Sequence, residues 1–313
     1  IKFNTDADRN DVTQTGNIST SGAGSDGILI FNSDSNTTNI TGNITTAGLG
    51  AEAVFFNGSN RNTTTITGNI LTTGQQAPGI YLLGDNDFNT VTMQGDITTT
   101  AGSSSGISIG AGSDDNTISM EGNITTSEIG SDGIEIVQSS SRNVITMTGN
   151  IVTNAIDGQS TGIYIQSESD SNTINMTGNI STAGFAGFGF GIFESDSNTT
   201  NITGNITTAG ESAFGIVLNA QGIVRATSSN NTTTITGNIS TTGQSAAGIY
   251  HFNSDSNTTT MTGNISTTGQ QASGVYLLNS DDNALVINGN IITSDTGGNA
   301  EPILLEGSDS NTF

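Results

Sequence analysis

Short runs of alternating apolar and polar residues recur along the whole chain, without the three-to-four spacing of an amphipathic helix. Residues 248–274 show the unit. Ile249 opens one alternating run, a turn spans Asn253 to Asn257, and a second run covers Thr258 to Thr262. Gly263 marks a corner, Ile265 to Thr267 forms a third run, and Gly269 to Ser273 is a polar loop. The corner phrase is Gly, then Asn or Asp, then Ile, with a Thr two residues beyond the Ile. It occurs eleven times, at Gly16, Gly42, Gly68, Gly95, Gly122, Gly149, Gly178, Gly204, Gly237, Gly263 and Gly289. The steps are 26 or 27 residues, apart from one of 29 and one of 33. Such a period predicts an all-β fold, a single-stranded parallel β-helix (β-solenoid) of about 12 coils with three short strands per coil. Each strand is expected to pair with its equivalents in the adjacent coils, about 4.8 Å away. Residues 1–313 read as one elongated domain. The chain opens at Ile1 and ends at Phe313 within a repeat, which predicts a segment of a longer protein.

The period of two assigns faces. Two residues before the corner, Ile40, Ile66, Met93, Met120, Met147, Met176, Ile202, Ile235, Met261 and Ile287 form an inward column, with Gln14 as the exception. Two residues after it comes Ile in every coil, from Ile18 to Ile291, followed by the inward Thr20 to Thr293, whose hydroxyls need partners. A turn column consists of Asn36, Asn62, Asn89, Asn116, Asn143, Asn172, Asn198, Asn231, Asn257 and Asn283, and a stacked asparagine ladder is the expected structure. Insertions near 154–160 and 219–227 lengthen two coils and are expected in loops.

Composition narrows the function. Five Lys plus Arg against 28 Asp plus Glu leave a net charge of −23, which excludes a nucleic-acid binder and disfavours an anionic membrane surface. There is no Cys, hence neither disulfide nor thiolate metal site. No apolar run approaches the roughly 20 residues of a membrane span, so direct insertion of this segment is not expected.

Three surface features carry candidate chemistry. Asp34, Asp87, Asp114, Asp170, Asp196, Asp255 and Asp281 recur two residues before the ladder Asn, as a column of like charges that Ca²⁺ could bridge; no other cofactor is expected. The first strand places apolar side chains outward, among them Phe55, Tyr81, Tyr164, Phe193, Tyr250, Phe252 and Tyr276. An exposed stripe of this kind predicts an interface with a second copy of the rod, with a flap of its own chain, or with a cell-surface protein or glycan. The second strand carries outward Thr-x-Thr pairs, such as Thr65/Thr67 and Thr260/Thr262, an array suited to ice, although Gln94, Glu121, Val286 and Asn288 interrupt it. Catalysis is not expected. Lys2, Arg9, Arg61, Arg142 and Arg225 are scattered, His251 is the single His, and no carboxylate pair stands apart from the Asp column.

The phrases GNITTAG, GNISTTGQSAAGIY and SDSNTTTMTGN resemble repeats in the passenger regions of bacterial autotransporters and related adhesin-like surface proteins. The resemblance covers essentially the whole chain. It implies a right-handed β-helix at the cell surface or released from it, serving as a structural or adhesive rod. Neither end carries an amphipathic cap, so end-to-end or lateral self-association is a further expectation.

Overall fold

A computed structural model describes residues 1–156, 158–219, 228–294 and 300–313. They contain 34 short strands and no helix. The strands form three parallel sheets of 12, 11 and 11 strands, each strand pairing with its equivalents one coil away. The architecture is an all-β parallel β-solenoid, with eleven turns of three strands and the first strand of a twelfth. The unit read from residues 248–274 is realised as strands Ile249–Phe252, Thr258–Thr262 and Ile265–Thr267. Of the two insertions, residue 157 and residues 220–227 lie outside the described residues.

Register explains the repeat. Ile80 pairs with Ile107, Met93 with Met120 and Ile97 with Ile124, so these inward side chains stack on their own kind. The inward columns of the three sheets meet in one continuous core, in which Ile107, Ile118 and Ile124 are fully buried. Complete burial of such a side chain stabilises by about 1.5–3 kcal/mol. Strands of two to five residues are too short to hold alone; the stack of coils supplies the core that each coil lacks.

The corner glycines answer to two constraints. Gly149 has φ +147°, which a side chain resists, and a β-carbon there would lie 1.9 Å from the carbonyl oxygen of Gly122 in the preceding coil. The turn asparagines are bonded along the solenoid. From Asn36 to Asn283 each backbone N–H donates to the Oδ1 of the asparagine one coil on, at 2.8–2.9 Å. A second, exposed column runs the other way: the N–H of Asn43 donates to Asn17 Oδ1, and that of Asn69 to Asn43 Oδ1. These bonds occupy turn amides that lie outside the sheet ladders.

The inward threonines of the third strand divide into two groups. The hydroxyls of Thr126, Thr153, Thr182, Thr208, Thr241 and Thr267 donate to carbonyls of the loop that follows. Those of Thr46, Thr72 and Thr99 are buried and have no partner among the described residues. Every threonine fits the column; only some find an acceptor.

Candidate functional site on the first sheet

The outward face of the 12-stranded sheet carries two rows of side chains. One row reads Leu29, Phe55, Tyr81, Ser108, Glu135, Tyr164, Gly191, Val217, Tyr250, Tyr276 and Leu304 in successive coils. The stripe is therefore broken. Phe55 and Tyr81 stack as an isolated pair, with centroids 5.4 Å apart and planes 14° from parallel. Ser108 and Glu135 then interrupt the aromatic row, because their coils place polar residues at the outward position.

Beyond the interruption the aromatic residues join. Tyr164 meets Phe193 at 5.3 Å, Phe193 meets Phe188 at 5.6 Å, and Phe188 meets Phe214 at 5.7 Å. Phe214 meets Tyr250 at 4.6 Å, and Tyr250 meets both Tyr276, at 5.2 Å, and Phe252, at 6.1 Å. Each such contact adds about 0.5–1.5 kcal/mol to area burial. All seven rings remain partly exposed. Phe188 and Phe214 escaped the sequence reading. They precede the strand-opening glycines Gly189 and Gly215, at a position that other coils fill with Asp26, Glu52, Pro78 or Ser105. The position carries no aromatic period, so only register with Phe193 and Tyr250 reveals them.

The run encloses a basin of about 410 Å³. The row falls from Tyr164 to Gly191 and Val217 and rises again at Tyr250, and Val217 is only 1% exposed. Among the groups lining the basin are Asp132 and Asn219. Asn219 is 6% exposed, and its Oδ1 has no partner among the described residues. The Tyr164 hydroxyl donates to Gln166, and burial followed by the charges of Asp132 and Glu135 raises its pKa.

A pair of carboxylates absent from the sequence reading lies beside the basin. Burial is the main cause raising the pKa of Asp132, and the neighbouring Glu135 charge adds to it. Burial likewise raises Glu135, against the hydroxyls of Ser105 and Ser108, which donate to its Oε2 at 3.1 Å each. Glu135 faces a second depression of about 330 Å³ that Tyr81 also lines, and burial pushes the Tyr81 hydroxyl up to about 12. Near the start of the solenoid, Glu52 is buried against Asp26, and this desolvation pushes it up to about 8.

The aspartate column is built into the backbone. Asp34 Oδ1 accepts the N–H of Asn60, Asp87 that of Asp114, and Asp114 that of Ser141. Asp170 accepts from Asp196, Asp196 from Ser229 and Asp255 from Asp281, while Asp281 accepts from Asp309. Arg142 adds ion pairs to Asp114 and Asp115 at 3.0 and 2.8 Å. No group of three or more His, Cys, Asp or Glu able to hold a metal ion occurs among the described residues. On the second sheet the outward threonines are interrupted by Asn39, Asn175 and Asn201, and by Gln94, whose amide donates to Glu121.

No helix among the described residues is long and apolar enough to cross a membrane. Compared with protein-family models, with curated proteins and with solved structures, the chain matches none, so the repeat and its outward chemistry carry the functional argument.

Proposed function

We propose that this chain is an extracellular adhesive rod of a bacterial cell surface, in which the solenoid supplies stiffness and the aromatic face of the first sheet makes the contact. The observation that carries this reading is the unbroken run of partly exposed rings from Tyr164 to Tyr276. Aromatic residues standing on a rigid sheet lose little conformational freedom on binding, which favours them at contact surfaces. A net charge of −23 keeps such a rod soluble despite the apolar face. The resemblance of its repeats to autotransporter passenger regions supports the same setting.

The test couples the purified chain to beads and measures their adhesion to bacterial and host cell surfaces. Replacing both Tyr250 and Tyr276 by Ser is expected to abolish adhesion while the unfolding transition stays cooperative. Adhesion undiminished in that double variant would refute the reading. Negative-stain electron microscopy of the same material, with and without EDTA, separates isolated rods from filaments.

A further inference from the structure

We infer that the basin between Tyr164 and Tyr250 is a binding site for a neutral saccharide, whose ring lies against the aromatic walls while its hydroxyls donate to Asn219 and Asp132. This deepens the adhesive reading and rests on it. The shape comes first. A volume of about 410 Å³ falls within the usual range for small-ligand pockets, roughly 300–1,000 Å³. The floor is low because Val217 is short and buried, while rings rise around it.

The polar groups define the ligand. Asn219 Oδ1 is a buried acceptor without a donor among the described residues. Leaving such an atom unpaired is unfavourable; the Asn219 side chain lines the basin, and a donor there towards which its amide turns recovers the loss. Other buried polar atoms without partners, such as Thr64 Oγ1, belong to inward positions; Asn219 lies on the outward row. Asp132 Oδ1 accepts the Thr161 N–H at 2.5 Å, and that is the one hydrogen bond of its carboxyl group among the described residues. The site therefore offers apolar faces together with two acceptors that ask for donors.

Other ligand classes meet these groups less well. A lipid chain would cover the rings and leave both acceptors unpaired. An anionic polymer would face Asp132 with no Lys or Arg among the described lining residues, on a chain of charge −23. An extended peptide cannot add a strand here, because the strands beneath the basin are paired on both edges. A pyranose has an apolar C–H face for an aromatic ring and several hydroxyl donors around its rim.

The test uses calorimetric titration of the whole chain with cellohexaose, maltohexaose and mannohexaose, and with polygalacturonate as the anionic comparison. At least one neutral hexasaccharide is expected to bind, and polygalacturonate is not. Asn219→Leu removes the acceptor while keeping bulk, and Tyr250→Ser removes a wall. Each is expected to weaken binding at least tenfold, with the circular dichroism and unfolding midpoint of the parent retained. Should either variant fold poorly, Phe252→Leu, which removes the lining ring stacked beside Tyr250, provides the same reading. Absence of binding by all three neutral probes, preference for polygalacturonate, or full affinity in the folded variants overturns the assignment. The two readings fail separately. If Tyr250→Ser abolishes adhesion while the parent binds no neutral saccharide, the adhesive reading stands and the saccharide site falls. If saccharide binds but adhesion survives that substitution, the reverse holds.

Discussion

The ring of Phe193 lies across Gly191: a β-carbon on that glycine would come within 2.6 Å of Phe193 Cε2. The gap in the outward row is thus filled from the neighbouring row, and it is this placement that brings Phe193 to Phe188. Gly191→Ala is expected to push the Phe193 ring aside by a side-chain rotation. The stability change should stay within about 1 kcal/mol, because the clash is with the end of a movable side chain. The ring contact between Phe188 and Phe193 should be lost, which nuclear Overhauser contacts between the two rings would report. Retention of those contacts would show that Phe193 does not depend on the missing β-carbon.

The Asn116 side chain occupies the middle of the ladder and serves four groups. Its Oδ1 accepts both the backbone N–H and the Nδ2 of Asn89, at 2.9 and 3.1 Å, and its own Nδ2 donates to the Asn86 carbonyl at 2.7 Å and to Asn143 Oδ1 at 3.0 Å. All are buried. Asn116→Ala strands these partners, at about 1–3 kcal/mol for each group left unsatisfied. A loss of roughly 3–5 kcal/mol is expected by that reckoning in denaturant unfolding. The equivalent change at Asn10, which is exposed at the first coil, should cost far less. Equal losses at the two positions would mean that ladder bonding is not the source of the effect.

Two threonines of similar burial should respond to the same substitution with opposite signs. Thr233 stacks between Thr200 and Thr259 in the second sheet, fully buried, and its hydroxyl has no partner among the described residues. Thr241 is also fully buried, but its hydroxyl donates to the Ala246 carbonyl. Valine keeps the shape of threonine and removes the hydroxyl. Thr233→Val is expected to stabilise by about 1 kcal/mol and Thr241→Val to destabilise by about as much. Urea midpoints at unchanged slope are the measurement, and a shared sign would refute the distinction.

The sequence made the solenoid legible because its information is periodic. Ile265 and Thr267 recur at one offset from every corner, and a period of two then decides which face each occupies. The asparagine column was legible for the same reason. The basin was not, since it is made where the repeat lapses: Gly191 and Val217 stand in a row of larger residues, and Phe188 and Phe214 stand in a column of acids and small residues. Glu135 hid in the same way, as a single departure in the outward row, whereas Asp132 keeps the character of its own column and gave no signal until register set it beside Glu135. Asn219 gave no signal as a site residue, because its lack of a partner is a property of its surroundings.

Two buried titratable groups should give the stability a pH profile with two opposed slopes. His251 stacks between Leu218 and Leu277 and is fully buried, with the Asn283 side chain beside its ring. Desolvation lowers its pKa to about 4, against about 6.5 when unfolded. Between those values the unfolded chain binds the proton and the folded chain does not, so stability falls as pH drops from 6.5 towards 4. A separation of this size corresponds to about 3 kcal/mol. Glu52 acts with the opposite sign. Its folded pKa, near 8, lies above its unfolded value, so its contribution is complete below about pH 4.5 and is lost as pH rises to 8. The two effects oppose one another between pH 4.5 and 6.5, and of the two only Glu52 acts between 6.5 and 8. His251→Leu should remove its share of the acid-side loss, and Glu52→Gln its share of the decline above pH 6.5. Urea unfolding of the parent and both variants at pH 4.5, 6.5 and 8 checks each slope. A parent curve parallel to that of His251→Leu across the acid range would mean that the imidazole is reached by solvent or by a proton-accepting partner.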